Sequence, residues 1–561
     1  MSRSLSLSFY YSIVLFSTLL LTSHIGHSQS LSAEQKAKLD QLINEDIEGI
    51  APGLALGIVR DGKIIYENYA GYANLNHEIK IDAKTRFNIA SNAKQFTALC
   101  ILHLVDKGKV ELKADIRTYL PELYPDYKGT ITVQQLINHT SGIRDVYALL
   151  GLQGKTWWAI NGFSNEDAIE LLTQQKELNF EPGSQYLYSN SNYILLTEIV
   201  GRVTKKSFAE YALALFQKLG MKETSFCSNY MDLIPHKARP YAAWGKWIEY
   251  PSITNVHGDG GLFTSLKDQL LWEQSVQTQS SQALSAAVIQ QSQALLPTSE
   301  VDHYGYGLEF STYNGIPYIY HDGETGAYKA TFLRFPSEKL SIVLMGNSGQ
   351  VASNYLAKRC AKILIPTDRF KPSDYPERPP VLAPKTALSD IVGYFKHTDG
   401  ALVLFQRKGE NLFWKIGQNR PFKFQHEEGN LYNMIENDQL KVSFHLEEEK
   451  PYMVVYYPGE KPRIHHKILP LNEVDSYYTA LNGQYFNTEL EVKIKVEYTA
   501  DQQYSVEVDG EMIEGIMREK DIISVDSYEA KVRRDAQSKV VGLLVNNSRL
   551  RNVRFDRSNS H

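Results

Sequence analysis

From residue 31 onward, runs with the hydrophobic spacing of a helix give way to runs with the spacing of strands, and back again. In LSAEQKAKLDQLINEDIEGI (31–50), Leu39, Leu42, Ile43, Ile47 and Ile50 recur at the spacing of one helix face, and Ser32 with Gln35 fits a capping box. Two β-rich runs follow in GLALGIVRDGKIIYENYAGYAN, joined at Asp61-Gly62, a strong hairpin signal. Helical patterns then dominate from Ser91 to about residue 275, and strand patterns return with GYGLEF, PYIYHDG, YKATFLRFP and LSIVLMGN. The expectation is an α+β domain in which the first hairpin and the late strands share one antiparallel sheet, with the helices packed on it.

Around 366–386 the pattern breaks. PTDRFKPSDYPERPPVLAPKTA carries six prolines and reads as a stiff extended linker. Beyond it helical spacing nearly disappears, and short strand runs such as ALVLFQRKGENLFWKIG and PYMVVYYPGEKPRIHHKIL are punctuated by turn residues. VGYFKHT (392–398) and NGQYFNT (482–488) form a weak repeat, each opening a string of strands. The expected organisation is a first domain over 29–366, a linker over 367–386, and two small antiparallel barrels or sandwiches over 387–471 and 472–561. A single larger β domain is the alternative.

Residues 1–28 read as a cleavable secretory signal: Arg3, the apolar run YYSIVLFSTLLL, then GHS before Gln29. The apolar run is well short of the roughly 20 residues that span a bilayer. An exported protein, periplasmic or secreted and without a membrane anchor after cleavage, is therefore expected. The net charge of −5 gives no sign of a nucleic-acid partner. Cys100, Cys227 and Cys360 are an odd number, so at least one thiol is unpaired within a monomer.

The chemistry begins at FNIASNAKQFTAL (87–99), where a strand-like run becomes helical. Ser91 and Lys94 are three apart and would share a helix face, a hydroxyl within reach of an amine. At a helix start Ser91 would lie near free backbone N–H groups and the positive end of the dipole, and Lys94 one turn inward, placed to act as its base. The plain alternative is an N-cap serine followed by a surface lysine. In FEPGSQYLYSNSNYILLTEIV (180–200), Tyr188 and Asn190 stand in a turn before an apolar helix expected from about Tyr193. Tyr188 could relay a proton with Lys94 beside it, and Asn190 offers a donor and an acceptor to hold a substrate amide and the lysine. In YIYHDGETGAYKATFLRFP (318–336), His321-Asp322-Gly323 ends a strand pattern, and Gly323 and Gly326 would allow a ligand close to the backbone. The Glu324 N–H could then serve as an oxyanion donor.

Ser-x-x-Lys, Tyr-x-Asn and His-x-Gly in this order resemble the penicillin-recognising serine hydrolases, the group of class C β-lactamases, D-alanyl-D-alanine carboxypeptidases, D-aminopeptidases and related esterases. LINHTSGIRD (136–145), EPGSQYLYSNSNY (181–193) and GDGGLFTSLKDQLLW (258–272) agree, and the resemblance covers roughly 35–365. The two β domains behind the first make the layout most similar to the D-aminopeptidase type. The resemblance implies acyl-enzyme chemistry without a cofactor or metal. Ser91 would be the nucleophile, Lys94 its base and Tyr188 the proton relay. Asn190 would orient the substrate, and the Ser91 and Glu324 N–H groups would form the oxyanion hole. One departure matters: the β-lactamases and carboxypeptidases usually carry lysine where His321 stands. A histidine that is mostly neutral at pH 7, and gains charge towards pH 6, shifts the expectation away from substrates with a free carboxylate beside the scissile bond. Small peptides or amides containing D-amino acids, or esters, are then the leading substrates. β-Lactamase or carboxypeptidase action, or a penicillin- or peptidoglycan-binding protein that does not turn over, is the alternative. GNSGQ (346–350) fails the serine-elbow pattern at Gln350, and His465-His466 has no evident third metal ligand. The sequence leaves the oligomeric state open.

Overall fold

Asp61 and Gly62, at φ of 49° and 72°, form the left-handed two-residue turn that suits strand twist, and join Leu54–Arg60 to Lys63–Ala70. Asn314-Gly315, at 48° and 76°, does the same between Glu309–Tyr313 and Ile316–Thr325. Together with Tyr328–Phe335 and Leu340–Gly346 these strands make one six-stranded sheet. Its order runs from Glu309–Tyr313 through Ile316–Thr325, Tyr328–Phe335, Leu340–Gly346 and Leu54–Arg60 to Lys63–Ala70, and every pairing is antiparallel. The computed structural model describes residues 30–558 apart from 156–161, 298–301, 372–375, 377, 380–381, 398–401, 416–420, 436–439, 458–460, 470 and 472. The expected signal segment 1–28 lies outside the described residues.

Both faces of the sheet are covered, which is why its central strands read as unbroken apolar runs. Leu56, Ile58, Leu333, Ile342 and Leu344 pack against the helices Ala33–Asn44 and Ser353–Leu364. On the other face Ala55, Val59, Phe332, Val343 and Met345 join a core shared with the helical region. The helix Lys94–Asp106 runs through that core and is buried at every residue from Lys94 to Leu104.

The capping box at Ser32 and Gln35 forms as expected, but the helix stops at Asn44 rather than continuing to Ile50. The Asn44 side chain bonds back to the Asp40 carbonyl, Gly49 takes a left-handed conformation at φ 60°, and Ile50 is 48% exposed. A second correction concerns the helix after Tyr188. It starts at Asn190 with Ser189 as its N-cap, three residues before the apolar spacing begins, because Asp145 supplies a partner for its first free N–H.

The C-terminal region is two closed barrels of eight strands each, Gly393–His397 to Arg463–Lys467 and Gly483–Asn487 to Val553–Arg557. In both, each strand pairs with the next and the last closes on the first. The opening strands are those of the VGYFKHT and NGQYFNT repeat. The first barrel has its own core, whereas the core of the second is continuous with that of the helical region. Among the described residues no helix is long and apolar enough to cross a membrane. The three cysteines are unpaired, Cys100 and Cys360 being buried.

Candidate active site

Ser91 sits in the short 3-10 turn Ala90–Ala93 that leads directly into the helix Lys94–Asp106. Ala90 adopts a left-handed φ of 48°, strained for a residue with a Cβ, and its N–H is held by Asn88 Oδ1 at 2.9 Å. The strand Ile316–Thr325 lies against this turn. A Cβ at Gly323 would collide with the Ile89 carbonyl. That glycine therefore admits the backbone of the Ser91 turn, rather than a ligand as the sequence suggested.

Lys94 is not a surface lysine: its exposure is 0%. Its three donors are spent on Ser91 Oγ at 3.2 Å, Asn190 Oδ1 at 2.9 Å and the Asp259 carbonyl at 2.6 Å. The Tyr188 hydroxyl donates to Ser91 Oγ at 3.2 Å, and the Lys94 ammonium nitrogen lies 4.9 Å from the centre of the Tyr188 ring. Lys94 and Tyr188, from two stretches nearly a hundred positions apart, thus meet at the Ser91 hydroxyl, and Asn190 holds Lys94 there. The GDGG stretch closes the back of the arrangement: the Gly258 carbonyl accepts from Thr97, and the buried Asp259 carboxyl, whose pKa burial pushes up, accepts from Tyr147 at 3.0 Å.

Asn190 holds the lysine as expected, but its other end is engaged. Both its backbone N–H, at 2.7 Å, and its Nδ2, at 3.1 Å, donate to Asp145 Oδ2. Asp145 is fully buried and also caps the helix Val146–Leu152. Arg549, from the loop between the last two strands of the second barrel, donates to the same oxygen at 3.3 Å and lies 5.0 Å from the centre of the Tyr188 ring. Asp145 closes the LINHTSGIRD stretch, so a signal for it existed. Arg549 is 404 residues away and carried none.

His321 departs from expectation in position and in charge. It lies inside the strand Ile316–Thr325, not at its end, and is 3% exposed. Burial and the nearby Lys94 hold its pKa down to about 3, so imidazolium does not accumulate towards pH 6. A chain of hydrogen bonds fixes the tautomers. The Ser189 N–H donates to His139 Nδ1, which leaves the His139 proton on Nε2, facing the Tyr304 hydroxyl at 3.2 Å. Tyr304 in turn faces His321 Nε2 at 3.3 Å, and His321 Nδ1 donates to the Asp322 carbonyl at 2.6 Å. Burial also pushes the His139 pKa well down. Glu324 follows Gly323 on the strand that touches the Ser91 turn. Its carboxylate pairs with Lys329 at 2.6 Å, and with Ser91 and Asn190 it lines one cavity of about 670 Å³. Among the described residues no group of three His, Cys, Asp or Glu could hold a metal ion.

This fold is that of one family. The beta-lactamase family model matches residues 39–361, and the chain belongs to that family. It is 30% identical over 313 residues to a D-aminopeptidase of Gluconobacter oxydans (strain 621H), the match covering 54% of this chain and 57% of that one, less than two-thirds of the relative's length. Among solved structures it is similar to the octameric penicillin-binding protein homologue from Pyrococcus abyssi. The TM-score there is 0.55 and the identity 21%, with 77% of this chain and 99% of that one covered. The D-amino acid amidase from Ochrobactrum anthropi SV3 matches at a TM-score of 0.50 and 19% identity, covering 59% of this chain and 99% of that one. At these identities the two structures share the fold.

Proposed function

We propose that this protein is an exported serine hydrolase that forms an acyl-enzyme at Ser91 on amide or ester bonds, with small peptides or amides containing D-amino acids as its leading substrates. The observation that carries this reading is the placement of Lys94 Nζ and the Tyr188 hydroxyl, each 3.2 Å from Ser91 Oγ. The step requires Lys94 as the free amine, its Nζ lone pair turned to the Ser91 hydroxyl: Ser91 Oγ then attacks the carbonyl carbon while Lys94 takes up its proton. Tyr188 passes a proton to the departing amine or alkoxide as the C–N or C–O bond breaks. Water then attacks the acyl carbon, releasing the acid and restoring the hydroxyl. The backbone N–H groups of Ser91 and Glu324 are the candidate oxyanion donors. The D-aminopeptidase relative supports the substrate class, and the neutral His321 supports substrates without a carboxylate beside the scissile bond.

One observation favours a second reading, carboxypeptidase or β-lactamase action. Arg549 brings a permanent cation beside Tyr188, a charge that His321 does not supply. Turnover on D-aminoacyl amides, D-Ala-D-Ala peptides, nitrocefin and p-nitrophenyl esters separates the two, measured for the native protein and for Arg549→Met. The leading reading expects amides or esters lacking the carboxylate to be preferred, with that preference unchanged by Arg549→Met. A native preference for carboxylate-bearing substrates that falls by about one to two orders of magnitude in Arg549→Met, the scale of a lost charge-assisted hydrogen bond, would establish the second.

A further inference from the structure

The two barrels share one plan and are filled differently. A barrel of eight strands is just wide enough either to be filled by its own side chains or to hold one small ligand. The first barrel is filled: Phe395, Phe405, Trp414, Phe424 and Phe444 meet ring to ring, with centroids 5.1 to 5.9 Å apart. In the second, rings stack on one another at one end, where Tyr478 packs on Tyr498 at 5.4 Å and Tyr498 on Tyr504 at 5.6 Å. Towards the other end, beside Phe555 and Tyr528, six of the wall positions are small and aliphatic: Val496, Val506, Val508, Val525, Ala530 and Val545. These six belong to the wall of the same 670 Å³ cavity that reaches Ser91, a volume within the roughly 300–1,000 Å³ of small-molecule sites.

The open end is fixed against the active-site region. Tyr528 donates to the Ala148 carbonyl at 3.0 Å, and Gly151 makes room for its ring, since a Cβ there would strike the hydroxyl. Gln153 donates to the Leu490 carbonyl at 3.1 Å, and Arg551 to Asn179 at 2.8 Å. The charged members of the wall that belong to the barrel, Glu511, Asp526 and Arg549, stand at its turns and loops, and Asp145, Lys155, Lys237, Glu249, Asp259 and Glu324 lie outside the barrel. Asp526 is in a strand-to-strand turn, Glu511 directly follows another, and Lys155 follows the helix Val146–Leu152. A charged group passing beyond them would be buried among aliphatic side chains with no partner, at a cost an alkyl chain does not meet.

We propose that the second barrel receives an aliphatic chain of the substrate, carried on either the acyl or the leaving-group side of the bond that Ser91 attacks. The inference rests on the reading of Ser91 as nucleophile for its catalytic part, and on the lumen alone for its binding part. Two measurements on the full chain keep these apart. The first is kcat/KM for p-nitrophenyl esters from acetyl to decanoyl, and for acetate esters of alcohols of matching length. The second is binding of the fluorescent fatty acid cis-parinaric acid to Ser91→Ala, with and without Val506→Trp or Val545→Trp to fill the lumen.

One ester series is expected to gain roughly two- to fourfold per methylene, the scale of burying a CH₂. Which series gains identifies the side that carries the chain. Parinaric acid binding should weaken at least tenfold in the tryptophan variants, while the same tryptophan substitutions made with Ser91 intact leave turnover of the acetyl ester within about threefold. Photolabelling of barrel-unmodified protein by a diazirine-tagged decanoic acid, mapped to residues 494–545, supports the same site without any substitution in the barrel. Short-ester turnover with flat chain-length series and no lumen labelling overturns the proposal and leaves the hydrolase reading standing. Lumen binding with no turnover of any ester or amide does the reverse.

Discussion

Ser91, Lys94 and Tyr188 are chemically ordinary side chains whose surroundings restrict what they can do. Lys94 has no solvent and no spare acceptor, so its position relative to Ser91 Oγ is set by Asn190 and the Asp259 carbonyl rather than by its own flexible stem. His321 carries a different lesson. Its folded pKa lies near 3, below the ordinary value of about 6.5 that it recovers on unfolding. Between those values the unfolded chain binds the proton and the folded one does not. The stability from a neutral His321 is therefore complete above about pH 6.5 and is lost as pH falls towards 3. His139 acts in the same direction. Urea unfolding at pH 7.5 and pH 5 is expected to show lower stability at pH 5, and His321→Asn, which cannot take up a proton there, should reduce that difference. An equal difference in native and variant proteins would show that His321 is not buried neutral.

At the scale of elements, the site depends on how closely one strand approaches one turn. Ala90 holds its strained conformation beside a strand that carries no side chain at Gly323. Gly323→Ala should push Ile316–Thr325 away from the Ser91 turn and lower kcat/KM by about ten- to a hundredfold, with the circular dichroism spectrum unchanged, because reacting groups tolerate little displacement. Native activity in that variant would contradict the packing. What the sequence disclosed also divides at this scale. The capping box at Ser32, the hairpin at Asp61-Gly62 and the Ser91–Lys94 pair are patterns within a few residues, and local physics writes them plainly. The first helix ends before the sequence pattern does, because Ile47 and Ile50 continue the apolar spacing past Asn44, where side-chain back-bonding stops the helix. The helix at Asn190 starts ahead of its apolar spacing because its first N–H is satisfied by Asp145, 45 residues upstream. Arg549 was invisible for the same reason over a longer span, since a contact between distant segments leaves no periodicity to read.

For the whole molecule, the second barrel contributes groups to the site rather than merely following it in the chain. Besides Arg549, it sends Glu489 to Arg144, which is 1% exposed and bonds Glu489 at 2.8 Å. Removing residues 472–561 would leave both Arg144 and Asp145 short of a charge partner. Arg144 and Glu489 are nearly buried, and loss of one partner from such a pair costs about 3–5 kcal/mol, whereas Arg549 is 39% exposed and its loss from Asp145 costs less. The truncated protein is expected to melt well below the full chain and to lose most of its turnover, whereas a fragment as stable and active as the full chain would make the barrel an independent appendage.

The proposed chemistry requires a covalent bond at one oxygen, Ser91 Oγ. Intact-protein mass spectrometry of the full chain, acid-quenched during turnover of a D-aminoacyl p-nitrophenyl ester or labelled with a fluorophosphonate, tests it most directly. It predicts one adduct, mapped by fragmentation to Ser91, absent in Ser91→Ala and accompanied there by a loss of turnover on the order of a thousandfold or more. An adduct on another residue, or near-native turnover in Ser91→Ala, would contradict it.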